Sequence, residues 1–200
     1  MNPRVVIALV VVAVAALVAV ALAADEKSEE PAVSGSDRFE GAVLPTGLRA
    51  PELGLGDQDG EGVRMSDLRG RPVVVTFLYS TCDDTCPAQA QQVKGAFDEL
   101  GEDYPALAIS VDPENDTEQT ARAFLGEQRM TGRMRFVLGS RPELQRVWSG
   151  YAIQPQRDDL EHTARIVLVD GDGIQRVGYP LDKVTPEGIA HDLRLLAAGR

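Results

Sequence analysis

The chain is poor in the side chains from which most metal and redox sites are built, with two cysteines and two histidines in 200 residues. Two cysteines exclude the disulfide framework by which a small secreted domain replaces a core, and they exclude a zinc site made of four sulfurs. Positive charge is also short. Twenty lysines and arginines face 31 aspartates and glutamates, giving a formal net charge of −11. A chain so acidic is a poor partner for nucleic acid, whose binding is dominated by phosphate neutralisation. No nucleophile elbow, phosphate-binding glycine loop or internal repeat is present.

What is present begins with an uninterrupted apolar run. From Val5 to Ala24 there is no charge and no strong helix breaker, and about 20 such residues suffice to cross a bilayer core. Residues 1–24 therefore read as an N-terminal transmembrane anchor. The alternative is a signal cleaved after Ala21-Leu22-Ala23, although cleavable apolar segments usually run only about 7 to 15 residues. Arg4 on one side and Asp25-Glu26-Lys27-Ser28-Glu29-Glu30 on the other favour a short cytoplasmic end. Both readings put the rest of the chain outside the cytoplasm, either held at the plasma membrane or secreted. Residues 25–49 read as a flexible acidic linker, and 50–200 as one domain.

That domain alternates strand and helix signals. Asp57-Gln58-Asp59-Gly60 predicts a hairpin turn, Val73 to Tyr79 a strand buried on both faces, and Pro87 the first position of a helix closed by Gly101. Leu107 to Val111 predicts a second strand, followed by a capping box at Asp116-Thr117-Glu118-Gln119. Phe136 to Leu138 and the box Ser140-Arg141-Pro142-Glu143 repeat the pattern. Arg165 to Val169, a turn at Asp170 to Gly173, and Ile174 to Tyr179 predict an antiparallel hairpin, and Thr185-Pro186-Glu187 a last helix. Parallel βαβ units followed by a ββα ending describe an α/β, thioredoxin-like fold: a central mixed sheet flanked by helices, with an N-terminal hairpin extension.

Cys82 and Cys86 stand where the buried strand ends and the helix begins. Unpaired N–H groups and the positive end of a helix dipole stabilise thiolates there. A spacing of four is one helical turn, so both sulfurs can lean to one side, either as a redox pair or as a clamp for a soft cation. Asp83 and Asp84 oppose thiolate formation in the metal-free site and favour a bound cation. His162, before the final hairpin, is placed to add one nitrogen to two sulfurs or to be a surface loop residue. His191 reads as a helix-surface residue, Met130 and Met134 as packing, and the carboxylates of Asp112, Glu114 and Asp116 as turn and cap chemistry.

Three segments in order, Thr76-Phe77-Leu78-Tyr79-Ser80-Thr81-Cys82 to Cys86-Pro87, Ile109 to Thr117, and Glu161-His162-Thr163-Ala164 leading into Ile166 to Gly173, resemble the Sco (SenC) family over most of residues 50–198. The resemblance implies copper, as Cu(I) or Cu(II), bound by Cys82, Cys86 and His162. It further implies a membrane-tethered, extracytoplasmic metallochaperone serving the copper A site of cytochrome c oxidase subunit II or another cuproprotein. The alternative within the same resemblance is a thiol-disulfide oxidoreductase, with Cys82 and Cys86 catalytic, that keeps the partner's copper-site cysteines reduced. The chain departs from the family at Asp83, where proline is usual, and its segment from Val137 to His162 is shorter than usual.

Overall fold

The computed structural model describes residues 38–155 and 164–199. The predicted anchor and His162 lie outside the described residues. Among the described residues no helix is long and apolar enough to cross a membrane.

Among the described residues eight strands form one sheet: β1 (Ala42–Val43), β2 (Leu55–Asp57), β3 (Gly62–Val63), β4 (Val73–Leu78), β5 (Ala106–Ser110), β6 (Arg135–Leu138), β7 (Arg165–Val169) and β8 (Gln175–Pro180). The order across it is β1-β8-β7-β4-β5-β6-β2-β3. β4, β5 and β6 run parallel, while β7, β8 and the β2–β3 hairpin join them antiparallel. The helices are α1 (Thr85–Leu100), α2 (Glu118–Glu127), α3 (Arg141–Gly150) and α4 (Pro186–Ala198), with single 3-10 turns at Met65–Leu68 and Leu181–Lys183.

β4 is buried at every residue because both faces of the sheet are covered. Strand alternation sends Val74 and Leu78 toward Val93 and Phe97 of α1, Phe124 of α2 and Leu193 of α4. Val73, Val75 and Phe77 go to the opposite face, with Leu144, Val147 and Trp148 of α3. Trp148 and Tyr151 are core residues, as their helical spacing predicts. Met130 and Met134 are also buried in the core, the packing role expected of them.

Several boundaries differ from expectation. α1 begins at Thr85, so Pro87 is its third residue rather than its first, and Gly101 closes it at φ 72° with its N–H on the Phe97 carbonyl. α2 is capped by Thr117, whose hydroxyl accepts the Thr120 N–H at 3.1 Å, and not by Asp116. The Glu143 carboxylate does return to the Ser140 N–H at 2.9 Å, as predicted. The largest difference concerns the linker. The compact unit begins at Arg38, β1 pairs with β8, and the Glu40 and Gly41 N–H groups donate to the buried Asp192 carboxylate at 2.9 and 3.0 Å. Residues 38–49 therefore belong to the domain. Polar composition predicted a tether because nothing local to that segment reveals an acceptor 151 and 152 residues away.

Candidate functional site

The C-terminal ends of the central strands β4 and β5 meet the start of α1 at one end of the sheet, and the cysteines sit there. After Leu78 the chain turns, with the Cys82 N–H donating to the Tyr79 carbonyl at 3.3 Å. Three residues later α1 starts. Its N-cap residue, Asp84, makes no side-chain capping bond. The Cys82 sulfur supplies what the cap lacks: it accepts the Cys86 N–H at 3.3 Å, and the Thr85 hydroxyl lies 4.0 Å from it. A sulfur that takes a free N–H at a helix N-terminus gains from carrying negative charge.

The two thiols are free and differ in environment. Cys82 retains 7% exposure and Cys86 none. Burial works to raise the Cys82 thiol, but the Cys86 side chain, the N–H groups of residues 84 and 86 and the Tyr79 hydroxyl outweigh it, and the thiol is held below its ordinary value of 9.0. Cys86 is pushed far up, first by burial and then by its bond to Cys82. The pair is therefore asymmetric: hydrogen bonds lower one thiol against its burial, and burial raises the other. Tyr79 is shifted upward in turn, chiefly by its hydrogen bond to Cys82. Asp83 and Asp84 are exposed, so water screens the opposition they were expected to offer.

Asp116 is the residue at this end of the sheet that the sequence pattern assigned elsewhere. Only 8% exposed, its carboxylate accepts from the Ser80 N–H at 2.7 Å, the Ser80 hydroxyl at 2.6 Å and the Ser110 hydroxyl at 2.5 Å. Ser110 is itself held, its carbonyl accepting from Trp148 Nε1 at 2.9 Å. Burial pushes the Asp116 carboxyl up against these bonds, and the charge of Asp112 adds to the rise. The only signal in the sequence was an aspartate directly before a threonine that could itself cap.

His191 lies on α4, half-exposed, with Nδ1 2.8 Å from Asp192 Oδ1, on the helix surface where it was expected. Among the described residues no three His, Cys, Asp or Glu side chains converge as metal ligands. Cys82 and Cys86 supply two soft donors, and the third expected ligand, His162, is outside that set. A separate cavity of about 300 Å³ opens between the β2–β3 hairpin and α2. Its charged groups are paired, Arg135 with Asp57 and Arg122 with Asp59 and Glu118, so it presents no free group for chemistry.

A model of the SCO1/SenC family matches residues 49–198. The chain is similar to the human mitochondrial protein SCO1 homolog, with 26% identity over 57% of this chain and 42% of that one. It is also similar to protein SenC of Rhodobacter capsulatus, with 32% identity over 44% and 43%. The chain spans less than half the length of either relative. Among solved structures, that of Bradyrhizobium japonicum ScoI with copper bound superposes with a TM-score of 0.64 and 31% identity, over 74% of this chain and 99% of that one.

Proposed function

As the chain belongs to the SCO1/SenC family, we propose that it is a copper-handling protein of cytochrome c oxidase assembly, with Cys82, Cys86 and His162 as the three copper ligands. In its finer form the reading is a metallochaperone tethered by residues 5–24 on the outer side of the plasma membrane, passing one copper ion to the copper A site of oxidase subunit II. The observation that carries it is the Cys82 sulfur at the N-terminus of α1, 3.3 Å from the Cys86 N–H and backed by the second thiol. Two thiolates suit a soft monovalent ion, and an imidazole added from a separate segment suits an ion that must also leave.

The test is anaerobic Cu(I) titration of the reduced full chain beside its Cys82→Ser, Cys86→Ser and His162→Ala variants. One copper per chain is expected in the parent, lost in either cysteine variant and bound more weakly without the histidine. Equal binding by parent and cysteine variants would end the copper reading. Transfer is then measured by mixing the loaded protein with a copper A domain and following the colour of that centre.

The asymmetry of the thiols favours a second reading, reduction of a partner's disulfide. Cys82 as thiolate attacks one partner sulfur and the other leaves. Cys86 then attacks Cys82 in the mixed disulfide, freeing the second partner thiol and leaving a Cys82–Cys86 disulfide. Two electrons pass to the partner, and an external dithiol must return them. A Cys86→Ser variant trapped as a mixed disulfide with the copper A domain would support this role.

A further inference from the structure

We propose that Asp116 is a positioning residue for the Cys82 and Cys86 pair, its carboxylate fixing through Ser80 the turn that sets the Cys82 sulfur against the start of α1. The inference rests on the reading of that pair as the working site. It does not depend on which of the two chemistries the pair performs.

The geometry runs in one chain of contacts. The turn from Tyr79 to Cys82 is closed by a single 3.3 Å backbone bond, and in such a turn the N–H of its second residue has no partner within the turn. Here that residue is Ser80. Asp116 takes both this orphan N–H and the Ser80 hydroxyl on one oxygen, and ties its other oxygen to Ser110 at the end of β5. The Ser80 hydroxyl also lies 2.8 Å from the Thr120 hydroxyl in the first turn of α2. Trp148 anchors Ser110 from the opposite face of the sheet. The turn is thus held to β5, α2 and α3, none of which is its neighbour in sequence.

Two observations separate this role from ordinary helix capping. Thr117 already caps α2 and Thr120 returns the bond, so the helix does not need the Asp116 side chain. Among the described residues no cation is a hydrogen-bond partner of the carboxylate, and a buried carboxylate held by hydroxyls and one N–H is a costly way to add stability alone. What it holds is the first half of a turn whose last residue is Cys82. If Ser80 moves, the 3.3 Å contact between the Cys82 sulfur and the Cys86 N–H lengthens, and with it goes the stabilisation of one member of the pair.

The test reads the dithiol in the metal-free full chain. The ratio of reduced to oxidised Cys82–Cys86 is measured in dithiothreitol buffers of graded potential by mass counting of blocked thiols, with thermal unfolding measured in parallel. Asp116→Ala is expected to shift the ratio about tenfold, equivalent to about 30 mV for a two-electron couple. Asp116→Asn is an isostere whose Oδ1 can still accept from Ser80 and whose Nδ2 can donate to the Ser110 hydroxyl. It should stay within about twofold of the parent, as should Arg135→Met, a destabilised variant remote from the thiols.

An unchanged ratio in Asp116→Ala overturns the proposal, and so does Asn shifting as far as Ala, because charge and not position would then be acting. If Asp116→Ala does not fold, Ser80→Ala decides, with about a threefold shift expected and no shift overturning the proposal. Failure of copper titration with the ratio still moving would sink the copper reading and leave this one. Normal copper binding with a fixed ratio would do the reverse.

Discussion

Asp116 and Asp57 are buried almost equally, at 8% and 4% exposure, and each accepts three hydrogen bonds from groups at the end of a strand, yet their carboxyl groups shift in opposite directions. Burial pushes both up. At Asp57 the Arg135 guanidinium, 2.6 Å away, joins the N–H groups of Asp59 and Glu61 and brings the carboxyl below its ordinary 3.8. At Asp116 there are hydroxyls and one N–H but, among the described residues, no cation partner, and the carboxyl stays above 3.8. The difference is one positive charge. Asp57 closes the β2–β3 hairpin onto β6 and is structural. Asp116 supports the turn that carries Cys82.

Replacing Arg135 by Met should break the comparison most strongly. The Asp57 carboxylate would keep only two backbone N–H donors in a buried place, and a loss of about 2 to 3 kcal/mol in denaturant unfolding at neutral pH is expected. A cost under about 0.5 kcal/mol would mean that the ion pair is effectively solvated.

Thr117→Ala comes next, at about 1 kcal/mol, the usual worth of an N-cap. Because Thr117 caps α2 while Asp116 holds Ser80, the variant should lower stability and leave the dithiol ratio unchanged. A shift of that ratio as large as in Asp116→Ala would merge the two roles.

The smallest effect lies in the pH slopes, each a fraction of about 1.4 kcal/mol per pH unit. A carboxyl held below 3.8 in the folded state contributes stability that is present above 3.8 and lost as pH falls through the folded value. One held above 3.8 contributes stability that is full below 3.8 and lost as pH rises through the folded value. Asp57→Asn should therefore fall behind the parent as pH is raised toward 3.8 from below, and Asp116→Asn should gain on it as pH is raised above 3.8. Parallel slopes in urea titrations at both substitutions would erase the distinction.

How much of this was readable without the structure differs by residue. Val73 to Tyr79 announced a strand with both faces covered because its apolar run is continuous, and the strand observed is Val73–Leu78, while the Ser140–Glu143 box worked because its partners are three residues apart. Asp116 misled. Its spacing to the following helix suggested a cap, and the partner it bonds instead, Ser80, is 36 residues earlier. Residues 40 and 41 misled in the same way, since composition said tether and the Asp192 carboxylate on α4 holds them to the domain.

The sequence by itself determined the order of elements, the double-sided burial of the central strand and the position of both cysteines at a strand-to-helix junction. Those features are written in periods of two to four residues, and the chain can satisfy them locally. Only the tertiary structure decided which thiol is fully buried, which carboxylate meets a guanidinium and which meets a serine. Solvation and charge at a buried atom depend on neighbours that the fold brings from 36 to 152 residues away, and no local pattern encodes them.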